Sequence, residues 1–337
     1  MKRVRVGQIG IGHNHGAEKM RTVRKFPELF EVIGYAEENE KWIEKRGSHP
    51  AYEGLERLSV DEVIARSDLV FIESDVWDLT KYAKMCVDAG KHIHMDKPAG
   101  GTLEEYKYVL DTARDKNLVV QLGYMYRYNP AVKKCLEHIK NGDLGKIYSV
   151  NAEMSSYHSP EYRGWLSNFN GGIMYILGSH LVDLIVYIMG EPDRVSPFLK
   201  MTGEDGVNAH DNNLAVLEYG SALARIYVSS LEVNGWGRRQ LMVSGSRGTV
   251  NICPLENPTV MTYSDINMIG KEHYHDVKEV IPVENDLGCR YDEMLTDLYA
   301  YVKGHKENPY TYEHEYLVQR VLSEIIGGVT VNGKNID

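Results

Sequence analysis

The chain has 337 residues, a formal net charge of −10 and a pI of about 5.7. This length favours two domains over a single core. The acidic balance argues against a nucleic acid or an anionic membrane as partner, because both need a basic surface. The hydrophobic content of 43% is typical of a globular protein, and no apolar run approaches the length of a membrane-spanning helix.

The cysteines indicate a reducing compartment. Cys86, Cys135, Cys253 and Cys289 are far apart and form no CxxC pair. This spacing predicts four reduced thiols and a cytoplasmic location. The basic residues at the N-terminus lead straight into a glycine loop, which is unlike a signal peptide.

The first forty residues have the layout of a dinucleotide-binding βαβ unit. An apolar strand over 4–9 runs into the sequence GIGHNH at 10–15, a helical segment follows, and a second strand over 32–36 ends on Glu37. Gly10 allows the tight turn, and Gly12 lets backbone N–H groups approach a pyrophosphate at the helix N-terminus. Glu37 lies 25 residues after Gly12, near the roughly 20 expected for the acid that holds the adenosine ribose.

These features predict a bound NAD. The candidate cofactor-binding residues of this segment are Gly10, Ile11, Gly12, His13, Asn14 and Glu37. The fingerprint lacks its third glycine, because His15 stands at that position. Glu37 and Glu38 bring negative charge to the place where the 2′-phosphate of NADP would lie, and no Arg or Lys follows before Lys41, which favours NAD over NADP.

Strands and helices alternate up to residue 122. After the βαβ unit we expect a strand over 69–72, a helix over 80–89, a strand over 92–95, a helix over 103–116 and a strand over 118–122. This alternation predicts an α/β Rossmann domain with a doubly wound parallel sheet over residues 1–122.

The pattern changes after residue 122. Following a helix near 131–140, strands are predicted over 147–154, 214–219, 222–229, 240–244, 249–252 and 277–281, with helices near 173–189, 291–302 and 313–326. This pattern predicts an α+β domain over 123–337 with a large, open, mostly antiparallel sheet. We expect the active cleft between the two halves, at the carboxyl ends of the parallel strands.

Lys97 is the first candidate catalytic residue. It follows the strand over 92–95 in the sequence His94-Met95-Asp96-Lys97-Pro98, so it lies at the edge of the sheet where a nicotinamide would bind. Oxidation of an alcohol needs a group that takes the hydroxyl proton while hydride leaves the carbon. A lysine does this when burial or a nearby positive charge favours its neutral form.

His180 is the second candidate. It is an isolated polar residue in the apolar segment 173–183, whose spacing indicates a core helix. A histidine in such a segment is more often a satisfied core residue, and its functional role depends on its facing Lys97. Asp183 shares a helix face with His180 and either orients the imidazole or has a structural role.

The motifs of the chain resemble those of the Gfo/Idh/MocA oxidoreductases, the family of glucose-fructose oxidoreductase and inositol dehydrogenase. In family order, the chain carries Gly10-x-Gly12, Gly90-Lys91-His92 leading to Asp96-Lys97-Pro98, the sequence GYMYRYNP at 123–130, Gly171-Gly172 leading to Gly178-Ser179-His180, and GSRGT at 245–249.

This resemblance implies a Rossmann domain with bound NAD(P), an open-sheet domain used for oligomer contacts, and a sugar or polyol substrate. Carried over by position, Lys97 resembles the catalytic lysine and His180 the histidine that serves as acid/base or substrate contact. We therefore expect a homo-oligomer, a dimer or tetramer, that acts on a carbohydrate or glycoside, with oxidation at C3 of a glycoside as one option.

Further binding residues are assigned by position. Ser74, Asp96 and Lys97 are cofactor candidates. The substrate candidates follow the last parallel strand, lie in the irregular stretch before residue 171, or belong to the helix of His180: Tyr126, Arg127, Tyr157, His158, Arg163, Trp165, Ile176 and His180.

Three positions depart from the family pattern. Asp96 replaces the usual glutamate and keeps its charge. Ser74-Asp75-Val76 stands where the family typically has Thr-Pro-Asn. Ile176 stands where the family commonly has an aspartate, and isoleucine can neither accept a proton nor position a sugar hydroxyl.

Three alternatives stay open from these observations. Ile176 motivates a non-catalytic NAD-binding sensor of the same family. A redox-neutral enzyme with tightly held, internally recycled NAD is a second alternative. A metal-dependent enzyme, using His92, His94 and Asp96 or His13 and His15, is the third. Neither His-x-His pair has an obvious place for a third ligand, and we expect no metal.

Overall fold

The structure is a computed structural model that describes residues 2–269, 276–328, 330–331 and 334–335. Its packing separates two units. The first comprises the described residues up to Tyr124 together with Tyr291–Gln319, and the second comprises those of Met125–Arg290 and of Arg320–Asn335.

The described secondary structure alternates strands and helices at first and is richer in strands later. In chain order the strands are β1 (Val4–Ile9), β2 (Phe30–Ala36), β3 (Leu69–Ile72), β4 (His92–Met95), β5 (Val120–Leu122), β6 (Ile147–Glu153), β7 (Arg194–Lys200), β8 (Asn212–Tyr219), β9 (Ala222–Ser229), β10 (Gln240–Gly245), β11 (Gly248–Ile252), β12 (Met261–Asp265), β13 (Glu279–Ile281), β14 (Thr330–Val331) and β15 (Lys334–Asn335). The α-helices are α1 (Gly16–Val23), α2 (Glu40–Arg46), α3 (Val60–Arg66), α4 (Leu79–Asp88), α5 (Leu103–Asp115), α6 (Pro130–Lys140), α7 (Pro160–Leu166), α8 (Ser179–Met189), α9 (Ile266–Ile269), α10 (Asp292–Val302) and α11 (Tyr312–Ile326).

The sheet of the first unit is parallel throughout, as predicted. Its strand order is β2-β1-β3-β4-β5. Every residue of β3, with the sequence LVFI, is buried, which is typical of a parallel strand covered by helices on both faces. The carboxyl ends of β1, β3 and β4 therefore lie side by side, and they carry Gly10, Glu73 and Asp96 to one edge.

The sheet of the second unit is mostly antiparallel, which confirms the second part of the predicted fold class. Its order is β13-β12-β11-β10-β6-β9-β8-β7, and the pairing of β6 with β9 is parallel. Helix α8 packs against β6 and β9, and α6 packs against β11. Along β6, Val150 and Ala152 are buried while the alternating Ser149, Asn151 and Glu153 are partly exposed, so the two faces of the sheet differ in exposure.

Several elements were not predicted. No local pattern predicted β7, β12, β14 and β15 or the helices α2, α3, α7 and α9. Helix α7 lies in the stretch predicted to be irregular, and it begins at Pro160 because the Ser159 side chain caps its N-terminus and proline is favoured at the first helical position. The predicted helix over 173–189 contains a π-helical turn, Met174–Gly178, before α8 begins.

The two units differ from the predicted domain limits, 1–122 and 123–337, in two respects, the first being that the first unit continues to Tyr124. Helix α10 and the first half of α11 pack with the first unit. One anchor is the Gln121 side chain, whose Nε2 donates to the carbonyl oxygen of Met294 at 3.0 Å. Local sequence patterns do not show that a late segment of the chain packs with the N-terminal unit.

No helix within the described residues combines the length and apolar character needed to cross a membrane. The four cysteines are free thiols, and Cys86 and Cys135 are buried.

Candidate functional site

The glycine loop passes close to the end of β3. Gly10 has φ +85°, and a Cβ there would lie 2.4 Å from the backbone of Ser74, so no other residue fits this crossing. The amide of Ile11 donates to Glu37 Oε2 at 2.8 Å, and the amide of Asn39 donates to Glu37 Oε1 at 2.8 Å. The carboxylate of Glu37 is therefore fixed beside the loop.

A cavity of about 210 Å³ lies next to this carboxylate, within the first unit. It is lined by Ile9, Gly10, Ala36, Glu37, Glu38, Asn39, Val60, Ser74, Asp75, Asp78 and Tyr82. Its walls carry four acidic residues and a tyrosine whose hydroxyl donates to Glu38 Oε2 at 2.9 Å. Carboxylates accept hydrogen bonds from ribose hydroxyls and repel a phosphate.

Two residues of α2, which sequence reasoning missed, hold the loop from its other side. The Trp42 indole packs on Gly12, where a Cβ would lie 2.7 Å from Trp42 Nε1, and this nitrogen donates to Asp75 Oδ2 at 2.8 Å. Arg46 Nη1 donates to the carbonyl oxygens of Gly12 at 2.8 Å and His13 at 2.7 Å.

Arg46 Nη2 also donates to Asn14 Oδ1 at 2.7 Å. The loop is thus ordered through its carbonyl oxygens, with a positive charge at its side that suits a pyrophosphate. Trp42 and Arg46 are four residues apart and therefore lie on one helix face. This spacing was the signal in the sequence from which their shared role could have been predicted.

Three buried charges join the ends of β3 and β4 to helix α1. Lys19 Nζ donates to Glu73 Oε1 at 2.9 Å and to Asp96 Oδ2 at 2.6 Å, and all three side chains are inaccessible to solvent. Burial alone would lower the pKa of Lys19, but the two carboxylates raise it. Burial alone would raise the pKa of Asp96, but His13 and Lys19 hold it well below its usual range. The pKa of Glu73 is raised, mainly by burial.

The two loop histidines converge on the same carboxylate. His13 Nδ1 lies 2.9 Å and His15 Nδ1 lies 3.1 Å from Asp96 Oδ2. Burial lowers the pKa of His15 to about 4, so this imidazole is neutral at pH 7. The ligand atoms of His13, His15 and Asp96 lie within 4.8 Å of one another.

Histidine and aspartate are residue types that bind transition metals. Here, however, the Lys19 ammonium already forms an ion pair with the Asp96 oxygen that faces the two histidines. We therefore keep the prediction of no metal. His92 and His94 do not join the three. His92 Nδ1 accepts from the amide of Val119 at 2.9 Å, and His94 Nδ1 lies 2.8 Å from Gln121 Oε1.

Lys97 follows directly on this cluster. Its amide donates to Asp96 Oδ1 at 2.7 Å, and its side chain is buried. Asp96 thus uses one oxygen for Lys19 and the histidines and the other for the backbone of Lys97. The start of the segment that carries Lys97 is fixed by charge-assisted hydrogen bonds rather than by loop packing alone.

In the second unit, His180 lies in the first turn of α8 and is buried. Its imidazole lies 4.8 Å from the ring of Tyr126, at an interplanar angle of 84°. Tyr126 belongs to the 3₁₀ helix Met125–Tyr128 that follows β5. Ile176 is buried in the π-helical turn before α8, so position 176 offers no acid to a substrate.

Two arginines predicted to contact substrate are paired internally. Arg127 donates from Nη2 to Asp183 Oδ1 at 2.6 Å and from Nε to both oxygens, and both side chains are buried. Asp183 therefore anchors the Arg127 guanidinium within the second unit. Arg163 is buried, forms an ion pair with Asp205 and donates to the carbonyl oxygen of Glu204 at 3.1 Å.

Two of the remaining substrate candidates, His158 and Trp165, lie in an aromatic row with Tyr162. His158 stacks on Tyr162 with 4.3 Å between ring centroids, and Tyr162 contacts Trp165 at 5.3 Å. Tyr157 is exposed, and His158 and Trp165 are half-buried. Two residues of this unit that the sequence analysis never named, Arg239 and Glu256, form a buried ion pair at 2.7 Å. No local motif marks them.

Comparison with known proteins identifies both halves of the chain. Residues 4–124 match the family described as "Oxidoreductase family, NAD-binding Rossmann fold", and residues 132–251 match the "GFO/IDH/MocA C-terminal domain". Levoglucosan dehydrogenase of Pseudarthrobacter phenanthrenivorans is 32% identical over 118 residues, which are 33% of this chain and 30% of that protein.

Two enzymes of Bacillus subtilis are also similar. The scyllo-inositol 2-dehydrogenase (NADP(+)) IolW is 25% identical over 52% of this chain and 49% of its own length. Glucose-6-phosphate 3-dehydrogenase is 24% identical over 66% of this chain and 65% of its own length. The first relatives match over 30–55% of their own length.

Solved structures share the fold over nearly the full chain. A levoglucosan dehydrogenase in complex with NADH and levoglucosan has a TM-score of 0.81 at 18% identity, covering 99% of this chain and 100% of that one. UDP-N-acetylglucosamine 3-dehydrogenase GnnA from Acidithiobacillus ferrooxidans has a TM-score of 0.78 at 18% identity, covering 97% and 98%.

We predict that Lys19→Met destabilises the protein by about 3–5 kcal/mol, because it leaves Glu73 and Asp96 as buried charges without their cation. Urea denaturation measures the free energy of unfolding. Lys107→Met, on the exposed side of α5, breaks a surface ion pair with Asp111 and should cost about 1 kcal/mol or less. Equal losses in the two variants would contradict the role assigned to Lys19.

Proposed function

Because the chain belongs to the GFO/IDH/MocA oxidoreductase family, we propose that it is an NAD-dependent dehydrogenase acting on a hydroxyl group of a sugar, polyol or glycoside. The observation that carries this proposal is the edge of the parallel sheet. There the glycine loop, the acid-lined cavity and the buried Lys97 follow three neighbouring strands. This edge is where parallel α/β sheets bind dinucleotides.

The cofactor would be held by residues of the first unit. Glu37 and the cavity beside it suit the adenosine ribose, and the loop ordered by Arg46 suits the pyrophosphate. NAD, when bound, accepts the hydride from the hydroxyl-bearing carbon. Gly10 and Gly12 give the close backbone approach that this binding requires.

Lys97 would act as general base and His180 would assist it. Lys97 accepts the proton of the substrate hydroxyl as the C–H bond breaks, so that no charged alkoxide is released into the site. The Lys97 side chain is buried, and this step needs its neutral amine. His180 would hold the substrate hydroxyl by a hydrogen bond or share its proton, since imidazole both donates and accepts.

The class of substrate rests on the relatives. Their names specify levoglucosan, scyllo-inositol and glucose 6-phosphate, which all carry several ring hydroxyls. The aromatic row of His158, Tyr162 and Trp165 offers flat apolar faces with polar edges, which suit the faces of a sugar ring. We therefore propose a carbohydrate or glycoside as substrate.

Ile176 supports a second candidate function, a non-catalytic NAD-binding sensor. The side chain is buried and apolar where the family commonly has an aspartate. A sensor would bind NAD and a sugar without transferring hydride. Retention of both Lys97 and His180 favours the enzyme.

Self-association is a further proposal. The outer face of the second sheet presents apolar side chains from neighbouring strands: Phe198, Leu214, Val216, Leu223, Tyr227 and Met242. Leu223 and Phe198 are about half exposed, at 53% and 50%. A face of this kind on a soluble domain is typical of an interface between copies, and we propose a homodimer or homotetramer.

Lys97→Met should sharply reduce turnover at saturating NAD. We expect the rate of NADH formation in single-turnover absorbance, with a panel of sugars, inositols and glucosides, to fall at least about a hundredfold, because general base catalysis supplies that much. Lys107→Met serves as the matched control and should react like the wild type. Formation of NADH at the same rate in the Lys97 variant would refute the general-base role.

If NAD binds to the wild type and no substrate of the panel yields NADH, the sensor becomes the preferred function. Sugar binding measured by calorimetry on the NAD-loaded protein then tests that alternative directly.

The acidic cavity predicts a preference for NAD. In fluorescence titrations we expect NADPH to bind at least about tenfold more weakly than NADH, a difference of about 1.4 kcal/mol, because Glu37 and Glu38 repel the 2′-phosphate. Glu38→Gln should narrow this gap, whereas Glu53→Gln, at an exposed position outside the cavity, should not. Equal affinity for the two nucleotides would contradict the proposal.

Leu223→Arg should shift the protein toward monomers in sedimentation velocity, because it places a charge in the proposed interface. Val233→Arg changes an exposed residue outside the sheet and should leave the distribution unchanged. A wild type that sediments as a monomer at high concentration would exclude the proposed oligomer.

A further inference from the structure

A buried carboxylate of the second unit holds the tyrosine that packs on His180. The Tyr126 hydroxyl donates to Glu256 Oε1, and Arg239 Nη1 donates to the same oxygen at 2.7 Å. Arg239 Nη1 also lies 3.3 Å from the Tyr126 hydroxyl. All three side chains are buried, so these contacts form at low dielectric, where hydrogen bonds to charges are strong.

Arg239 is itself anchored. Its Nη2 donates to Ser156 Oγ at 2.6 Å, and its guanidinium lies 4.2 Å from the centre of the Trp236 ring. The guanidinium cannot rotate away without breaking these contacts. Glu256 therefore has a fixed partner, and the position of Tyr126 is defined by two groups rather than by packing alone.

Tyr126 in turn restricts the orientation of the His180 ring. The edge-to-face contact between the two rings, at 4.8 Å, confines the imidazole on one side. Ile176, on the preceding π-helical turn, has no polar atom with which to orient either a substrate or the imidazole. The ring contact of His180 with Tyr126 therefore connects the imidazole to the hydrogen bond between Tyr126 and Glu256.

The second oxygen of Glu256 is available for a further contact. Glu256 Oε2 is buried and has no hydrogen-bond partner among the described residues. Glu256 also lines a cavity of about 30 Å³ with Met125, Tyr126, Tyr128, Asn129, Asn285, Leu287 and Arg290. A cavity of this volume holds a water molecule, which would satisfy that oxygen.

We propose that Glu256 is a positioning residue for the dehydrogenase reaction: with Arg239 it fixes Tyr126 against His180 and so sets the orientation of the imidazole in a chain that has isoleucine at position 176. This inference rests on the proposed function of the site. Glu256 touches neither substrate nor cofactor in this mechanism; it acts through Tyr126.

The ionisation of Glu256 makes the arrangement sensitive to pH. Burial raises the pKa of Glu256 to about 7, and the positive charge of Arg290 opposes this rise. The charged and titratable groups that face the carboxyl are Arg239, Arg290 and the Tyr126 phenol. The ionised carboxylate is the stronger acceptor for Tyr126, so the ordered arrangement is complete above about pH 7 and weakens as the pH falls through that value.

The test compares Glu256→Gln with the wild type by turnover and by NMR. We expect kcat to fall about tenfold to a hundredfold, in line with loss of a hydrogen bond to a charged group, with KM changed less than about threefold and NAD affinity unchanged. The part of the kcat decline that titrates near pH 7 should be lost in the variant, because glutamine does not titrate, while the decline that comes from protonation of Lys97 should remain. An unchanged kcat or an unchanged pH profile would overturn the proposal.

The matched control is Glu232→Gln. Glu232 also pairs with an arginine, Arg238, in the same stretch of chain, and its loss should leave kcat and its pH profile unaltered. If both variants lose activity equally, the effect is a general one on the fold and the proposal is wrong.

A readout independent of turnover separates this inference from the proposed function. With ring-labelled histidine, Glu256→Gln should shift the imidazole signals of His180, and Glu232→Gln should not. If the wild type oxidises no substrate but this shift occurs, the dehydrogenase proposal fails and the positioning contact stands. If the His180 signals are identical in the wild type and Glu256→Gln, Glu256 does not position the imidazole.

Discussion

The first unit depends on one buried ammonium. Lys19, on α1, bridges Glu73 at the end of β3 and Asp96 at the end of β4. Without it two carboxylates would be buried close together, which costs several kcal/mol. With it, Asp96 can accept from His13, His15 and the amide of Lys97. One ion-pair cluster therefore fixes the glycine loop, two strand ends and the residue proposed as general base.

The second unit also contains ion pairs with a buried cation, which is an arginine in the following three. Arg127 pairs with Asp183, Arg163 with Asp205, and Arg239 with Glu256. Each guanidinium is buried and has a carboxylate to neutralise it, as burial requires. The first two pairs join Arg163 of α7 and Asp183 of α8 to residues elsewhere in the second unit. In the third pair, one oxygen of Glu256 has no hydrogen-bond partner among the described residues, and Glu256 lines a cavity. Glu256 also accepts a hydrogen bond from Tyr126, which contacts His180.

The elements that sequence reasoning found are those with a strong local pattern. Strand β3 consists of four consecutive apolar residues, and β9 alternates buried and exposed residues. The pattern of apolar residues was therefore sufficient to predict both strands. The elements it missed have weak patterns. Helix α2 has no buried residue, and β7 lies at the sheet edge with a proline inside it, so neither shows the periodicity of a core element.

The family, the fold class and the candidates Lys97 and His180 were all predictable from the sequence. They follow from glycine turns, from the periodicity of apolar residues and from motifs that are contiguous in the chain. The sequence also marked Ile176 as a departure. The tertiary structure decided which polar groups meet. Lys19 and Asp96 are 77 residues apart, and Tyr126 and Glu256 are 130 apart. Pairing at such separations depends on how strands and helices bring their ends together, and that information is not local to any segment.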